Sequence, residues 1–314
     1  MTDLDFKPMG IWLNDKKPEK LSELVGNLGI CNILNRYIAQ GNPPNLLFVG
    51  EHGVGKRTIA GIFAKTYLGD DYSRGRLLID GAIKRGKDVI SETVQDFSRR
   101  RITMQMNRKK LIIITNFDSM THEAQNALRR IMELESSVRF VFTGNDSSEI
   151  IEAIQSRCTI LRISGLNYEE SMELIRRVTD SKLPKEIAEI ISLISEGDMK
   201  RIINYCQTVS INPEPTLEQF YRIFNIPPIK FLEDILRKVH RKEAVFSDID
   251  YLMEQGHNYN DVMDIIARLL AYRTDILPDD VRYKYLGIVS EHYCEIKANT
   301  ARIHLHALFG KMIS

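Results

Sequence analysis

Asn45-Leu46-Leu47-Phe48-Val49-Gly50-Glu51-His52-Gly53-Val54-Gly55-Lys56-Arg57-Thr58 is the stretch that decides the fold. Leu46 to Val49 form a short apolar run that reads as a strand. From Arg57 onward, Ile59, Ile62, Phe63 and Tyr67 recur at helical spacing. Between strand and helix, Gly50-Glu51-His52-Gly53-Val54-Gly55-Lys56 has the form G-x-x-x-x-G-K, a phosphate-binding loop. Glycines let the backbone wrap a polyphosphate, amides at the helix start point at its oxygens, and the lysine neutralises charge. The strand before it and the helix after it place the loop in a parallel α/β core. Gly50, Glu51, His52, Gly53, Val54, Gly55, Lys56, Arg57 and Thr58 are therefore the expected nucleotide-binding residues, with ATP or ADP as the ligand.

The same loop departs from its pattern at one position. After Gly55-Lys56 a Ser or Thr normally supplies the hydroxyl that binds Mg²⁺; this chain has Arg57. Thr58 comes one step late, because one helical residue turns a side chain by about 100°. A second departure lies in Leu111-Ile112-Ile113-Ile114-Thr115, which reads as a fully buried central strand. Hydrolytic P-loop proteins end this strand with an Asp that holds Mg²⁺, often followed by a Glu that activates water. Here the positions are Thr115 and Asn116, with Asp118 further on. An amide does not titrate, so Asn116 cannot take a proton from water. Two changes in one pocket argue for a site released from catalysis, with no metal expected at it.

Further strands are predicted at 77–80, 138–143 and 159–163, alternating with helices at 88–101, 121–134 and 149–154. That order gives a doubly wound parallel sheet. Beyond Gly165 strand signals fade. Helices follow at 168–179, 185–195, 198–209 and 217–224, Pro227-Pro228 interrupts, and helical periodicity continues to Ser314. The 314 residues thus divide into an α/β core at 1–164, a small helical lid at 165–227 and an all-helical domain at 228–314.

Composition is that of a globular protein, 43% hydrophobic and 27% charged with net charge +1. No apolar run reaches the roughly 18 residues of a membrane span, so no membrane partner is expected. Charges near the start leave no signal-peptide core. Cys31, Cys158, Cys206 and Cys294 are isolated and read as reduced intracellular thiols, not zinc ligands or disulfides. The near-neutral total hides residues 74–110, with eleven Lys and Arg against four Asp and Glu. A solvated face is the usual meaning of such a run. Arg99-Arg100-Arg101 also suit a helix C-terminus. Plain structural readings go to Trp12 as core, Lys109-Lys110 as surface, Asp118 as a residue that caps or positions the following helix, and His52, His304 and His306.

Four stretches together resemble the small subunits of AAA+ clamp loaders of the replication factor C type. They are Trp12 to Pro18 with Leu24-Val25-Gly26-Asn27; Ala124-Gln125-Asn126-Ala127-Leu128-Arg129-Arg130-Ile131-Met132-Glu133; Ser148 to Ile163 with Ile154-Gln155-Ser156-Arg157-Cys158; and Gly197-Asp198-Met199-Lys200-Arg201 with Asn204. The resemblance spans nearly the whole chain. It implies an AAA+ core, a lid, and a collar that joins five subunits as a hetero-pentamer in an arc around primer–template DNA. ATP-bound subunits open a ring-shaped sliding clamp, and hydrolysis releases it. By the same resemblance Lys56 contacts phosphates and Asn145 is the first sensor. The second sensor falls on Lys200 with Arg201 beside it, and Arg85 meets a DNA phosphate. Arg157 is an arginine finger reaching the neighbour's ATP.

Arg57, Thr115 and Asn116 depart from the family pattern, as do Ile83-Lys84 before Arg85-Gly86, where acids are usual. The inactive end subunit of the eukaryotic loader similarly has a basic residue after Gly-Lys and an altered second motif. The resemblance places a cellular eukaryotic member in the nucleus and a viral one in the viral replication compartment. Three readings stand at this point: a non-hydrolysing loader subunit that lends a finger, an active motor that tolerates the changes, and a scaffold that has lost its nucleotide and DNA roles.

Overall fold

The structure, a computed structural model, describes residues 10–83, 86–100, 102, 104, 108–212, 214–295 and 301–313. Helices α1 (Trp12–Asp15) and α2 (Leu28–Gln40) precede strand β1 (Leu46–Val49). Helices α3 (Lys56–Leu68) and α4 (Tyr72–Gly75) lead to β2 (Arg76–Asp80), and α5 (Lys87–Arg99) leads to β3 (Lys110–Thr115). Helix α6 (His122–Leu134) precedes β4 (Val138–Gly144), and α7 (Glu152–Gln155) precedes β5 (Thr159–Arg162). The strands pair in the order β2-β3-β4-β1-β5, all parallel.

Alternate residues of each strand face opposite sides, and both sides are covered. Leu46 and Phe48 of β1 join Leu111, Ile113 and Val141 against Leu34 of α2 and Ile59, Phe63 and Tyr67 of α3. Leu47 and Val49 join Ile112, Ile114, Phe140 and Phe142 against Val94 and Phe97 of α5 and Leu128 and Ile131 of α6. Two covered faces explain why the strands read as unbroken apolar runs. The expected parallel α/β core is therefore present. The short helix begins later than its pattern suggested. Gln125, fully buried, donates to Glu149 O at 2.9 Å and accepts from the Ile151 amide at 2.9 Å, which holds that backbone out of the helix.

The chain groups into two compact units. One runs through residue 181 and takes in Ser195–Gln207; it includes the sheet, helix α8 (Tyr168–Val178) and most of α10 (Met199–Val209). The other comprises Lys182–Ile194 and Thr208–Ser314. Its elements are α9 (Lys185–Ser195), α11 (Leu217–Phe224), α12 (Ile229–His240), α13 (Phe246–Glu254), α14 (Tyr259–Tyr272), α15 (Asp279–Glu295) and α16 (Ala301–Ile313). Leu232, Leu236, Ile249, Val262, Ile266, Leu269, Leu308 and Phe309 are among its buried residues. No described helix is long and apolar enough to cross a membrane.

Two plain readings are corrected. Trp12 is half-exposed, not core: α1 buries none of its residues, and Lys16 lies over the indole at 4.2 Å. Lys110 is not surface but only 5% exposed. Its Nζ donates to Phe97 O at 2.7 Å, Ser98 O at 2.7 Å and Arg100 O at 2.9 Å, closing the C-terminal end of α5. Terminal helix carbonyls lack internal partners and attract a cation. Lys110→Ala leaves them buried and unpaired, and we expect it to cost about 3 kcal/mol. Urea unfolding of the full chain checks this, and a loss under about 0.5 kcal/mol would contradict it.

Candidate nucleotide site

The glycine loop lies between β1 and α3, at the C-terminal end of the sheet. Gly53 and Gly55 adopt φ of +77° and +88°, the left-handed region that strains other residues. A Cβ at Gly53 would also fall 2.0 Å from Asp198 Oδ1. That oxygen accepts the amides of Lys200 at 2.8 Å and Arg201 at 3.0 Å, starting α10. The loop is therefore packed directly against the helix that carries the second-sensor candidates.

Lys56 Nζ donates to Gly50 O at 2.7 Å, to Glu51 O, and to Asn145 Oδ1 at 2.9 Å. Partial burial pulls the Lys56 ammonium below the usual lysine range, against the opposing charges of Asp118, Asp198 and Glu51. Asn145 is held in turn by its amide on Asp118 Oδ2 at 2.8 Å. Asp118 thus does not cap the following helix, as its position suggested. Thr121 caps α6 through the Ala124 amide, while the turn Phe117–Ser119 carries Asp118 across to the end of the neighbouring strand β4.

A cleft of about 970 Å³ opens over the loop. His52, Gly53, Val54, Gly55, Lys56, Arg57 and Thr58 line it, with Asn116, Asn145 and Lys200 on its other walls. Gly50 and Glu51 contribute the carbonyls that hold Lys56, and Arg201 is exposed beside Lys200. Arg157 stands apart from the cleft. It follows α7, with Nη1 donating to Ala153 O at 2.6 Å and Nη2 to Glu133 Oε1 at 2.7 Å, and its side chain is 39% exposed. Arg85 lies outside the described residues.

The altered positions meet at one point. Arg57 Nη2 donates to Asp80 Oδ2 at 3.0 Å and to Thr115 Oγ1 at 3.2 Å. The other carboxylate oxygen of Asp80 accepts Asn116 Nδ2 at 2.9 Å and the Ala82 amide at 3.0 Å. Burial works to raise the Asp80 carboxyl, but these hydrogen bonds and the Arg57 charge outweigh it and hold it below the ordinary carboxylate range. Asp80 escaped the sequence reading. Its role depends on β2 lying beside β3 with Asp80 opposite Thr115, a pairing invisible until the strand order is known.

These residues fit a nucleotide but do not fit Mg²⁺. Mg²⁺ needs several oxygen ligands in near-ideal octahedral geometry. Here a guanidinium stands where its hydroxyl ligand belongs, and the adjacent carboxylate is already bonded to that guanidinium. Among the described residues no group of three His, Cys, Asp or Glu gathers as a metal site. Cys31, Cys158 and Cys206 are free thiols, and burial pushes Cys158 and Cys206 up to about 12, leaving them neutral and unreactive.

A family model described as DNA polymerase III, delta subunit, matches residues 79–167. The replication factor C small subunit of Aeropyrum pernix is 32% identical over 311 residues, covering 96% of this chain and 94% of its own. Replication factor C subunit 4 of Saccharomyces cerevisiae is 32% identical over 263 residues, covering 82% of this chain and 81% of its own. Among solved structures, the RuvB Holliday junction branch migration motor of Thermotoga maritima is similar with a TM-score of 0.55 at 17% identity. That match covers 71% of this chain and 78% of RuvB, a likeness of fold alone.

Proposed function

Since the chain belongs to the replication factor C small-subunit family, we propose that it is a clamp-loader subunit that holds nucleotide without hydrolysing it. Arg157 completes the ATP site of a neighbouring subunit. One observation carries this reading: Lys56 and Asn145 keep a phosphate-binding arrangement, while Arg57 bonded to Asp80 and Thr115 takes the place of metal and base groups. ATP or ADP, when bound, brings a chain of phosphates that needs positive charge and donors. Lys56 and the loop amides supply both, and Asn145 keeps Lys56 aimed at the cleft.

The working parts are an AAA+ core at 1–164, a lid at 165–227 and a collar at 228–314 that joins four sister subunits in a hetero-pentamer. The assembly grips a ring-shaped clamp and primer–template DNA, with Arg85 on a phosphate. It works in the nucleus of a eukaryote or the replication compartment of a virus. Mass measurement of the complex recovered with the tagged chain tests assembly, with one copy per five-subunit complex expected. In that complex Arg85→Ala should lower the slope of log affinity against log salt by about one unit on unrelated duplexes. A chain recovered alone, or an unchanged slope, would contradict the corresponding part.

A further inference from the structure

We propose that Arg57 is a built-in cation, so that this pocket takes the free nucleoside polyphosphate and binds it without a divalent metal. This inference rests on the nucleotide-holding pocket proposed above.

The guanidinium is fixed from two strands. Asp80 ends β2, Thr115 ends β3, and the pair are register partners in the sheet. Arg57 Nη2 meets both side chains, and Asn116 and the Ala82 amide hold the far oxygen of Asp80. The acid is therefore gripped on both its oxygens and cannot turn to ligate a metal without giving up the arginine. Arg57 nevertheless keeps 61% of its side chain exposed and shares the cleft wall with Lys56 and Asn145. Its contacts with Asp80 and Thr115 engage Nη2, whereas Nη1 and Nε have no hydrogen-bond partner among the described residues. Guanidinium donors suit phosphate oxygens, often in bidentate pairs, and the charge persists at every physiological pH.

An ordinary surface ion pair is the simpler account of Arg57 and Asp80, and such pairs contribute little. Two facts oppose it. Arg57 lines the cleft one residue after the phosphate-binding lysine, and its contacts with Asp80 and Thr115, with Asn116 on the same acid, join the three positions that depart from the hydrolytic pattern. A bound Mg²⁺ would also lie against a fixed positive charge, which is repulsive at contact distance. The pocket should therefore prefer nucleotide free of metal to its magnesium complex.

Calorimetry of the full chain with ATP and with ADP, in EDTA and in excess Mg²⁺, tests this. The affinity in EDTA should equal or exceed that in Mg²⁺. Arg57→Ala should weaken binding in EDTA by about tenfold or more. The double variant Arg57→Ser with Thr115→Asp restores a hydroxyl and an acid. In that variant, removal of Mg²⁺ should weaken binding by about tenfold. Wild-type binding that falls about tenfold in EDTA would overturn the inference while leaving the nucleotide-holding pocket intact. So would an Arg57→Ala chain with a native melting curve and unchanged affinity. No binding in either buffer would overturn the inference together with the nucleotide-holding pocket.

Discussion

Arg157→Ala, introduced into the assembled complex, is expected to lower ATP hydrolysis at one neighbouring site by about 10³–10⁵-fold. The guanidinium follows α7 and is bound to Ala153 O and the half-exposed Glu133, outside its own cleft. Exposed ion pairs of this kind are worth about 0–1 kcal/mol, so a neighbour's phosphates can draw Arg157 away. Planar, forked geometry matters at such a position, and Arg157→Lys should recover little of the loss. Lys56→Ala should behave oppositely, leaving clamp loading nearly intact, if the pocket it weakens does no hydrolysis, as proposed. In an open arc one terminal pocket faces the gap and receives no finger. On the proposed function this chain takes that end seat, where a subunit keeps a use for its own finger and none for its own metal site. Steady-state hydrolysis and clamp loading by complexes reconstituted with each variant check the pair. The reverse ranking would refute the end-seat assignment.

Much of the fold was legible in sequence because parallel strands covered on both faces leave unmistakable apolar runs. Leu46 to Val49 and Leu111 to Thr115 are fully buried as read, and the helices begin and end within a few residues of their patterns. The glycine loop was equally plain, since the left-handed backbone at Gly53 and Gly55 excludes most other residues. What stayed hidden depends on contacts between distant positions. Lys110 sits beside Lys109 in a basic pair, and nothing local reveals that its stem runs inward to the end of α5. Asp118 precedes a helix, yet its carboxylate serves the loop after β4. Asp80 ends an ordinary strand and acquires its meaning only beside Thr115.

On the proposed reading this pocket binds nucleotide and is catalytically silent. The second large expected effect follows from it. Without a positioned general base a P-loop site loses about 10²–10⁴-fold in rate, and loss of the metal's charge stabilisation adds several kcal/mol to the barrier. With Thr115, Asn116 and Arg57 in these places the proposed reading expects both contributions to be lost together, and Asp80, bonded to Asn116, is occupied by Arg57. The most direct measurement is single-turnover hydrolysis of labelled ATP by a complex in which every sister subunit's P-loop lysine is replaced, leaving Lys56 alone intact. The isolated chain serves as a parallel sample. The predicted result in both is ATP bound through Lys56 and released unchanged, with phosphate at the background level. Phosphate release that disappears when Lys56→Ala is added would contradict the account.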